Sequence, residues 1–381
     1  MGARNLAIVI YCTIVGFAVL YAPQPLLPLL ASEWGRSTGD LALLTTATMI
    51  PLALGPLLYG YVLEHVSTRL MLTVAFSVLT VAQFSLGLGP DYPLFLALRT
   101  LEGLMLPAIF TALMTYSSAA GGPGRTRRNI SIYIAATIVG GYAGRVLSGI
   151  LTDLSGWTIA FQFWSANALV AAFLTTRLAS DPRIRLGKVR FVEIRALASR
   201  PVYAEGFASA FLLFFVFAAL LNFLPFRMRE NDPAISQSAI ALVYTGYLVG
   251  VVIALASLRI IDAFGGERRT LVVGSVVYFI GTAAFAFGGN GFAYFAMLIF
   301  AAGMFTLHSV LSAFLNHLET ERKGLVNGLY VSSYYTGGAL GSYLPGFLYQ
   351  GAGWGALVSL LLTLLAVLTF LSVKLRHTAR P

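Results

Sequence analysis

Charged side chains are scarce in this sequence. They make up 10% of the 381 residues, whereas a soluble domain has about 25%. Cysteine is nearly absent: Cys12 is the only one, so a disulfide bond within the chain is impossible. The four histidines lie in separate segments without zinc-ligand spacing, and no glycine-rich loop precedes a Lys-Ser or Lys-Thr pair. These absences argue against a water-soluble domain, a zinc site and ATP hydrolysis, and we expect no bound cofactor.

Long apolar segments fill most of the chain. Hydrophobic residues make up 58% of it, and the mean hydropathy is +0.81. Twelve segments approach the ~20 residues needed to cross a bilayer: 6–29, 41–63, 69–88, 93–117, 130–153, 158–178, 202–226, 236–258, 270–288, 292–316, 325–349 and 354–373. Helices are expected, since an open sheet would leave unpaired backbone groups in lipid. We therefore predict an all-α polytopic membrane protein with twelve transmembrane helices, called spans 1–12 below.

Basic residues fall mainly in alternate connecting segments. If the N-terminus is inside, 20 of the 25 Lys and Arg are cytoplasmic, three (Arg36, Arg227 and Arg229) are outside, and two lie within spans. This asymmetry predicts cytoplasmic termini in a cell (inner) membrane protein. The first span has no evident cleavage site, so we expect it to be retained. The cytoplasmic charges are scattered and form no single stripe, which argues against a nucleic-acid partner.

The sequence contains an internal duplication displaced by 197 positions. Residues 133–157 recur at 330–354, and the matched positions are Tyr133, Gly140, Gly141, Gly144, Gly149, Gly156 and Trp157 with Tyr330, Gly337, Gly338, Gly341, Gly346, Gly353 and Trp354. Duplicated apolar halves are typical of secondary transporters, and an even number of spans per copy keeps both halves in the same orientation. We predict two six-helix bundles, 1–178 and 202–381, joined by a cytoplasmic linker, 179–201.

Three charged residues lie inside predicted spans. Each charge at a span centre costs about 2.5–3.5 kcal/mol on insertion scales, so Arg99, Glu102 and Arg145 must pair or face a wet cavity. Arg99 and Glu102 are i, i+3 neighbours and can pair directly. At ~1.5 Å per residue, Glu102 and Arg145 reach similar depths. The equivalent positions in the second copy are Ile299, Ala302 and Ser342. Two interpretations remain open: a structural ion-pair cluster, or a site for substrate and proton.

Two cytoplasmic loops carry matching motifs. The loop between spans 2 and 3 is similar to G-x-x-x-D-x-x-G-R-R, with Glu replacing Asp, and a counterpart lies between spans 8 and 9. The matching positions are Gly60, Glu64, Arg69, Asp262, Gly265, Arg268 and Arg269. Together with the order of the spans, these motifs resemble the major facilitator superfamily over almost the whole chain. The resemblance implies that these residues are gating elements that hold the cytoplasmic side shut. Without it they are ordinary cytoplasmic charges and turns.

Two further motifs resemble the drug:proton antiporter branch of that family. Arg99-Thr-Leu-Glu102-Gly103 is similar to R-x-x-Q-G, and 140–145 is similar to G-P-x-x-G-G with Arg145 as its last residue. Span 11 is similar to the arabinose-efflux-permease-like exporters. The resemblance implies proton-driven efflux, and it places spans 1, 4, 7 and 10 around the path. The resemblance and their titratable or polar side chains make six further residues candidates for contacts with substrate or proton: His308, Tyr21, Gln24, Asn222, Tyr334 and Tyr335.

We therefore predict a monomeric secondary transporter that exports a small solute in exchange for protons, with the lipid bilayer as its environment. Two arginines beside one glutamate leave a net positive charge, which favours an anionic or zwitterionic metabolite. Glu102 is the expected proton site, and His308 is the other candidate because histidine titrates near neutral pH. The alternatives are a multidrug exporter and a proton-coupled importer of an organic anion. A membrane-embedded enzyme would need convergent catalytic groups, and a channel would not need two matched halves.

Overall fold

The computed structural model describes residues 2–119, 123–179, 191–319 and 323–375, and these ranges contain helices and no strand. The α-helices are α1 Ala3–Tyr21, α2 Leu27–Trp34, α3 Thr38–His65, α4 Thr68–Leu86, α5 Tyr92–Ala119, α6 Pro123–Ser155, α7 Trp157–Thr175, α8 Phe191–Ala198, α9 Pro201–Asn231, α10 Gln237–Leu242, α11 Val249–Ala263, α12 Glu267–Ala284, α13 Asn290–His317 and α14 Lys323–Lys374. Short 3₁₀ helices at Gln24–Leu26 and Val243–Leu248 connect α1 to α2 and α10 to α11.

Each of the twelve predicted spans coincides with helix. Ten described helical segments are long and apolar enough to cross a membrane. One of them, Gly324–Lys374, covers spans 11 and 12, which Gly353 separates with a positive φ of 80°. Span 9 is α12, which is not among the ten because three charged residues begin its 18-residue length. Large apolar side chains such as Val81 and Phe370 are exposed, as expected of helices that face lipid. The all-helical membrane fold is confirmed.

Span 1 is broken in its second half by prolines. Helix α1 ends at Tyr21, and the N–H of the next residue, Ala22, still donates to the carbonyl of Ala18 at 2.8 Å. Pro23 and Pro25 have no N–H to extend this ladder, and a 3₁₀ turn connects α1 to α2. The break therefore leaves backbone carbonyls near the end of α1 that need donors from elsewhere.

The duplicated glycines make equivalent helix contacts in the two copies. A Cβ on Gly140 would collide with the backbone of Ile14, and one on Gly337 would collide with that of Phe211. Gly337 lies 197 positions after Gly140, and Phe211 lies 197 positions after Ile14. Small residues allow such close approach of helices in membranes, so the repeated sequence specifies a repeated packing of α6 on α1 and of α14 on α9.

The described contacts divide the chain into two compact units. Unit 1 comprises Met1–Leu186 and Leu224–Tyr244, and unit 2 comprises Gly187–Phe223 and Thr245–Pro381. Segment 224–244, the end of α9 with α10 and the start of the following 3₁₀ turn, therefore groups with the first six spans, where α10 packs on α6. This division by contacts differs from the division by duplication, and the boundaries at 178 and 202 stay a prediction. Residues 180–190 of the linker lie outside the described ranges.

Candidate functional site

Arg99 uses its whole guanidinium in a buried network of unit 1. The side chain is fully buried in α5. Its five N–H groups match five acceptors: Val19 O at 3.1 Å, Leu20 O at 2.8 Å, Leu44 O at 3.3 Å, Thr48 Oγ1 at 3.4 Å and Glu102 Oε2 at 2.6 Å. An arginine has five N–H donors in a fixed planar arrangement. One residue thereby joins α5 to the end of α1 and to α3.

The carbonyl contacts of Arg99 follow from the break in span 1. In an unbroken helix, the residue four positions after Val19 would donate to its carbonyl, but that residue is Pro23. The Arg99 guanidinium supplies the missing donor, and it also donates to the carbonyl of Leu20. The arginine therefore stabilises a helix break that the prolines create.

Glu102 completes this network. Its Oε2 accepts from Arg99, and its Oε1 accepts from Gln83 Nε2 of α4 at 2.6 Å. Among the described residues, Glu102 is the one acidic side chain in the buried set. The i, i+3 pair expected from the sequence is present in the structure. Gln83 was missed, although a lone amide in the middle of the apolar span 3 was a signal for it.

Arg145 belongs to a different group of contacts in unit 1. The side chain is fully buried in α6, its Nε donates to Gln24 Oε1 at 2.7 Å, and its Nη1 donates to the carbonyl of Gly141 at 2.8 Å. The guanidinium carbon lies 4.0 Å from the ring centre of Tyr21 and 4.9 Å from that of Tyr244. Both carboxylate oxygens of Glu102 bind other residues. The three intramembrane charges therefore form two groups, although similar depth suggested one.

Two of the candidates from span 1, Tyr21 and Gln24, meet at Arg145. Both lie at the proline break, and both are buried. Tyr244, from the 3₁₀ turn Val243–Leu248, covers the guanidinium as well and was not among the predicted site residues. A buried cation between aromatic rings gains cation–π stabilisation that is larger than at exposed sites. The group provides a positive charge, an amide and two phenol rings within a few ångströms.

Three candidates of unit 2, His308, Tyr334 and Tyr335, lie in an aromatic cluster. The Nδ1 of His308 lies 2.8 Å from the hydroxyl of Tyr330, and its ring centre is 4.8 Å from that of Tyr334. Tyr334 stacks on Phe214 with centres 3.9 Å apart, and Tyr335 meets the same phenylalanine edge-on at 5.7 Å. The structure thus brings together His308 and the two predicted tyrosines, and it adds Tyr330 and Phe214.

Asn222 lies at the position of unit 2 that corresponds to the Arg145 group. Its Nδ2 donates to the carbonyl of Ser342 at 3.0 Å, and Ser342 is the repeat equivalent of Arg145. Both residues are fully buried. The two copies therefore share a buried polar contact between spans 1 and 5 in one copy and spans 7 and 11 in the other, and only the first copy places a charge there.

The loop arginines bind the ends of helices in their own unit. Arg69 donates to the carbonyls of Thr176 at 3.3 Å and Leu178 at 3.4 Å, and Arg268 donates to the carbonyl of Val373 at 2.6 Å. Thr176 and Val373 are themselves 197 positions apart. Cations are favourable at helix C-termini, so each arginine fastens the last helix of its copy to the loop motif.

The other gating candidates are placed as follows. Asp262 is exposed near the end of α11, and Gly265 forms the following turn with a φ of +75°. The side chain of Arg269 lies against Gly265, where a Cβ would be 3.0 Å from its Nη1. Gly60 lies within α3, and the side chain of Glu64 is outside the described part of the structure.

Comparison with known proteins gives the family. The sequence profile described as Major Facilitator Superfamily matches residues 9–231 and 230–381. The chain belongs to this superfamily. The inner membrane transport protein YnfM of Escherichia coli (strain K12) is 26% identical over 356 residues, which cover 91% of this chain and 85% of that protein. The superfamily consists of transporters, so this chain is a multi-pass membrane transporter and not an enzyme. Its assignment to the drug:proton antiporter branch stays a prediction.

Solved structures of the superfamily share the fold. A point mutant of the nucleoside transporter NupG has a TM-score of 0.82 at 13% identity, over 97% of this chain and 99% of that chain. The human organic anion transporter MFSD10 (TETRAN) has a TM-score of 0.76 at 16% identity, over 98% and 100%. The names of these two proteins give different solutes, so the shared fold does not select a substrate for this transporter.

Proposed function

We propose that this superfamily member exports a small anionic or zwitterionic metabolite in exchange for protons, as a monomer in the inner membrane with both termini in the cytoplasm. The observation that carries the proposal is the buried guanidinium of Arg145, held by Gln24 and covered by the rings of Tyr21 and Tyr244. Ser342 stands at the equivalent position of the second copy, so the duplicated scaffold does not need an arginine there. A charge that packing does not require is a candidate for function.

The chemistry of the Arg145 group suits a carboxylate. A guanidinium binds a carboxylate through two parallel hydrogen bonds, and Tyr21 and Gln24 provide a phenol ring and an amide beside it. Tyr244 covers the same guanidinium from the 3₁₀ turn of span 8. Withdrawal of this turn would open Arg145 to a solute, so binding and release would depend on its position.

Contacts within unit 1 suggest how a proton could act on this site. Protonation of Glu102 would remove the charge that pairs with Arg99, and Arg99 also holds the carbonyls of Val19 and Leu20. The next residue after Leu20 is Tyr21, which lies on Arg145. A change at Glu102 would therefore reach the anion site through one guanidinium and one helix break. A proton and a solute are coupled when each changes the affinity of the transporter for the other.

The aromatic cluster of unit 2 supports a second candidate function, the export of lipophilic compounds. Phe214, Tyr334 and Tyr335 offer ring faces beside His308, and aromatic surfaces bind apolar solutes of varied shape. The two functions differ in what Arg145 must do, because a lipophilic cation would be repelled by it.

The Arg145→Ser variant tests the anion proposal. It copies the residue of the second repeat, so we expect it to insert and to melt near the parent temperature. It should weaken an anionic ligand by about 1.5–3 kcal/mol, the range for a hydrogen bond to a charged group, which is roughly 10- to 150-fold. The measurement is the ligand-induced shift in melting temperature over a panel of carboxylates, zwitterions and lipophilic cations. Arg145→Lys is the matched control, since it keeps the charge and should keep part of the binding.

Two results would contradict the anion site: an unfolded Arg145→Ser protein with a stable Arg145→Lys, or a stable Arg145→Ser protein with unchanged anion binding. The Glu102→Gln variant tests the coupling separately. In proteoliposomes it should abolish transport driven by a pH gradient, whereas exchange of solute for solute survives. If this variant carries out gradient-driven transport at the rate of the parent protein, Glu102 is not the proton site. In the parent protein, the direction of the pH gradient that drives transport distinguishes export from import.

A further inference from the structure

Asp153 near the end of α6 binds the first turn of α10. Its Oδ1 accepts from the backbone N–H of Gln237 at 2.9 Å, and its Oδ2 accepts from that of Ser238 at 2.7 Å. Asp153 and its two partners belong to unit 1 by their contacts. In the duplication, however, Asp153 lies in the first copy, and Gln237 and Ser238 lie in the second. The first N–H groups of a helix have no partner within the helix, and a carboxylate there is favoured by the helix dipole. One side chain thus satisfies two such groups of span 8 from span 5.

Close packing lies one helical turn below this contact. A Cβ on Gly149 would be 2.7 Å from the carbonyl oxygen of Gln237 and 2.5 Å from the Cβ of Ala241. One turn deeper, Arg145 lies under Tyr244. Asp153, Gly149 and Arg145 follow one another every four residues and therefore share one face of α6. That face contacts α10 and the 3₁₀ turn in series, from the helix end inwards.

We infer that Asp153 is a latch that holds span 8 over Arg145, on the side that the distribution of basic residues predicts to be outside. Asp153 is exposed, whereas Gly149 and Arg145, one and two turns further along the same face, are buried. The bonds of Asp153 therefore lie at the solvent-exposed edge of the contact between α6 and α10. Breaking them leaves two backbone N–H groups that water can solvate. Asp153 is thus a positioning residue of the transport cycle: its bond forms when this side closes and breaks when the side opens to release or accept solute. The inference does not depend on which solute Arg145 binds.

The latch differs from an ordinary helix cap because it is not local in sequence. Asp40 offers the comparison within the same unit: its Oδ2 accepts from the N–H of Ser37 at 3.2 Å and from the hydroxyl of Ser37 at 2.9 Å. Loss of that cap would fray the start of one helix. Loss of Asp153 would instead release α10 from α6. Asp40 is therefore the matched control for Asp153.

The experiment measures opening by thiol labelling. Cysteine is placed at position 241 by Ala241→Cys in a Cys12→Ser background, and the reagent is a maleimide that does not cross the membrane, added from outside. Removing a charged helix cap costs about 0.5–2 kcal/mol, so Asp153→Ala should raise the labelling rate by roughly 2- to 30-fold. Asp153→Asn keeps one oxygen acceptor and should give a smaller rise, and Asp40→Ala should give none.

An unchanged labelling rate in Asp153→Ala would overturn the inference, as would an equal rise in Asp40→Ala, because the effect would then be general loosening. If Asp153→Ala does not fold, Asp153→Asn decides: it must melt near the parent temperature and label faster. A second readout follows from the same bond. Asp153→Ala and Asp153→Asn should favour the outward-open state. Labelling by maleimide added from outside should therefore increase relative to labelling by maleimide added from inside. A purely structural defect would not change this ratio.

Discussion

Replacing Arg99 by lysine separates the hydrogen bonds of this residue from its charge. The ion pair with Glu102 can persist in the variant, because an ammonium also binds a carboxylate. A lysine has three donors and the arginine has five, and all five N–H groups of Arg99 are used. At least two acceptors must therefore lose their donors. We expect Arg99→Lys to lower the free energy of unfolding without removing charge from the span.

The structure allows the size of this loss to be estimated. A buried polar group left without a partner costs about 1–3 kcal/mol, so two such groups cost about 2–6 kcal/mol. Hydrogen bonds in membrane proteins average nearer 0.6 kcal/mol, because the unfolded chain in the membrane also finds partners. We therefore expect the lower end, about 2–3 kcal/mol. Val19 is the most sensitive acceptor, since Pro23 cannot donate to its carbonyl.

Pro23→Ala provides the decisive second measurement. Position 23 has helical angles, with φ −72° and ψ −20°, so an alanine N–H there could donate to the carbonyl of Val19. The variant should partly restore the stability of Arg99→Lys, with a coupling energy of about 1 kcal/mol in a double-mutant cycle. Stability is read from reversible unfolding in mixed detergent micelles. Arg229→Lys is the control, because this half-buried arginine donates to the carbonyl of Pro233, outside the Arg99 network. A stable Arg99→Lys protein, or no coupling between the two positions, would refute the reasoning.

Two further predictions concern helix packing and the loop motifs. Gly144→Ala should destabilise the transporter by about 1–3 kcal/mol, because the added Cβ would collide with the backbone of Ala18. Gly355→Ala is the control and should have little effect, because no atom lies within 4 Å of a Cβ at that position. Equal melting temperatures of the two variants would show that Gly144 is not needed for the helix contact. Asp262→Asn and Glu64→Gln should each slow transport, as measured by initial rates, while leaving substrate binding intact, as measured by ligand-induced thermal shifts. If both variants transport at the rate of the parent protein, the loops are only charged turns.

Much of the fold could be predicted because membrane helices impose strong rules on sequence. Length and apolar composition alone located all twelve spans, since lipid accepts a helix only when its backbone is internally bonded. The repeat of Gly140 as Gly337 indicated two copies of one unit, and the two glycines make equivalent helix contacts. The pair of Arg99 with Glu102 was also readable, because residues three apart on a helix are neighbours whatever surrounds them.

The remaining features of the site needed the tertiary structure. Depth along the membrane follows from counting residues, but the direction of a side chain around the helix, and what it meets there, depends on packing. Similar depth therefore suggested that Arg145 and Glu102 share one site, whereas Arg145 lies with Gln24 and the two tyrosines.

The sequence by itself determined the helices, their duplication and the residues whose charge must be satisfied inside the membrane. Only the tertiary structure decided which partners satisfy them: Gln83 for Glu102, Tyr244 for Arg145, and the first turn of α10 for Asp153. The physical reason is that local rules act between residues a few positions apart, whereas these partners are 19, 99 and 84 positions away. Such contacts arise from the way the helices pack, which no short-range pattern encodes.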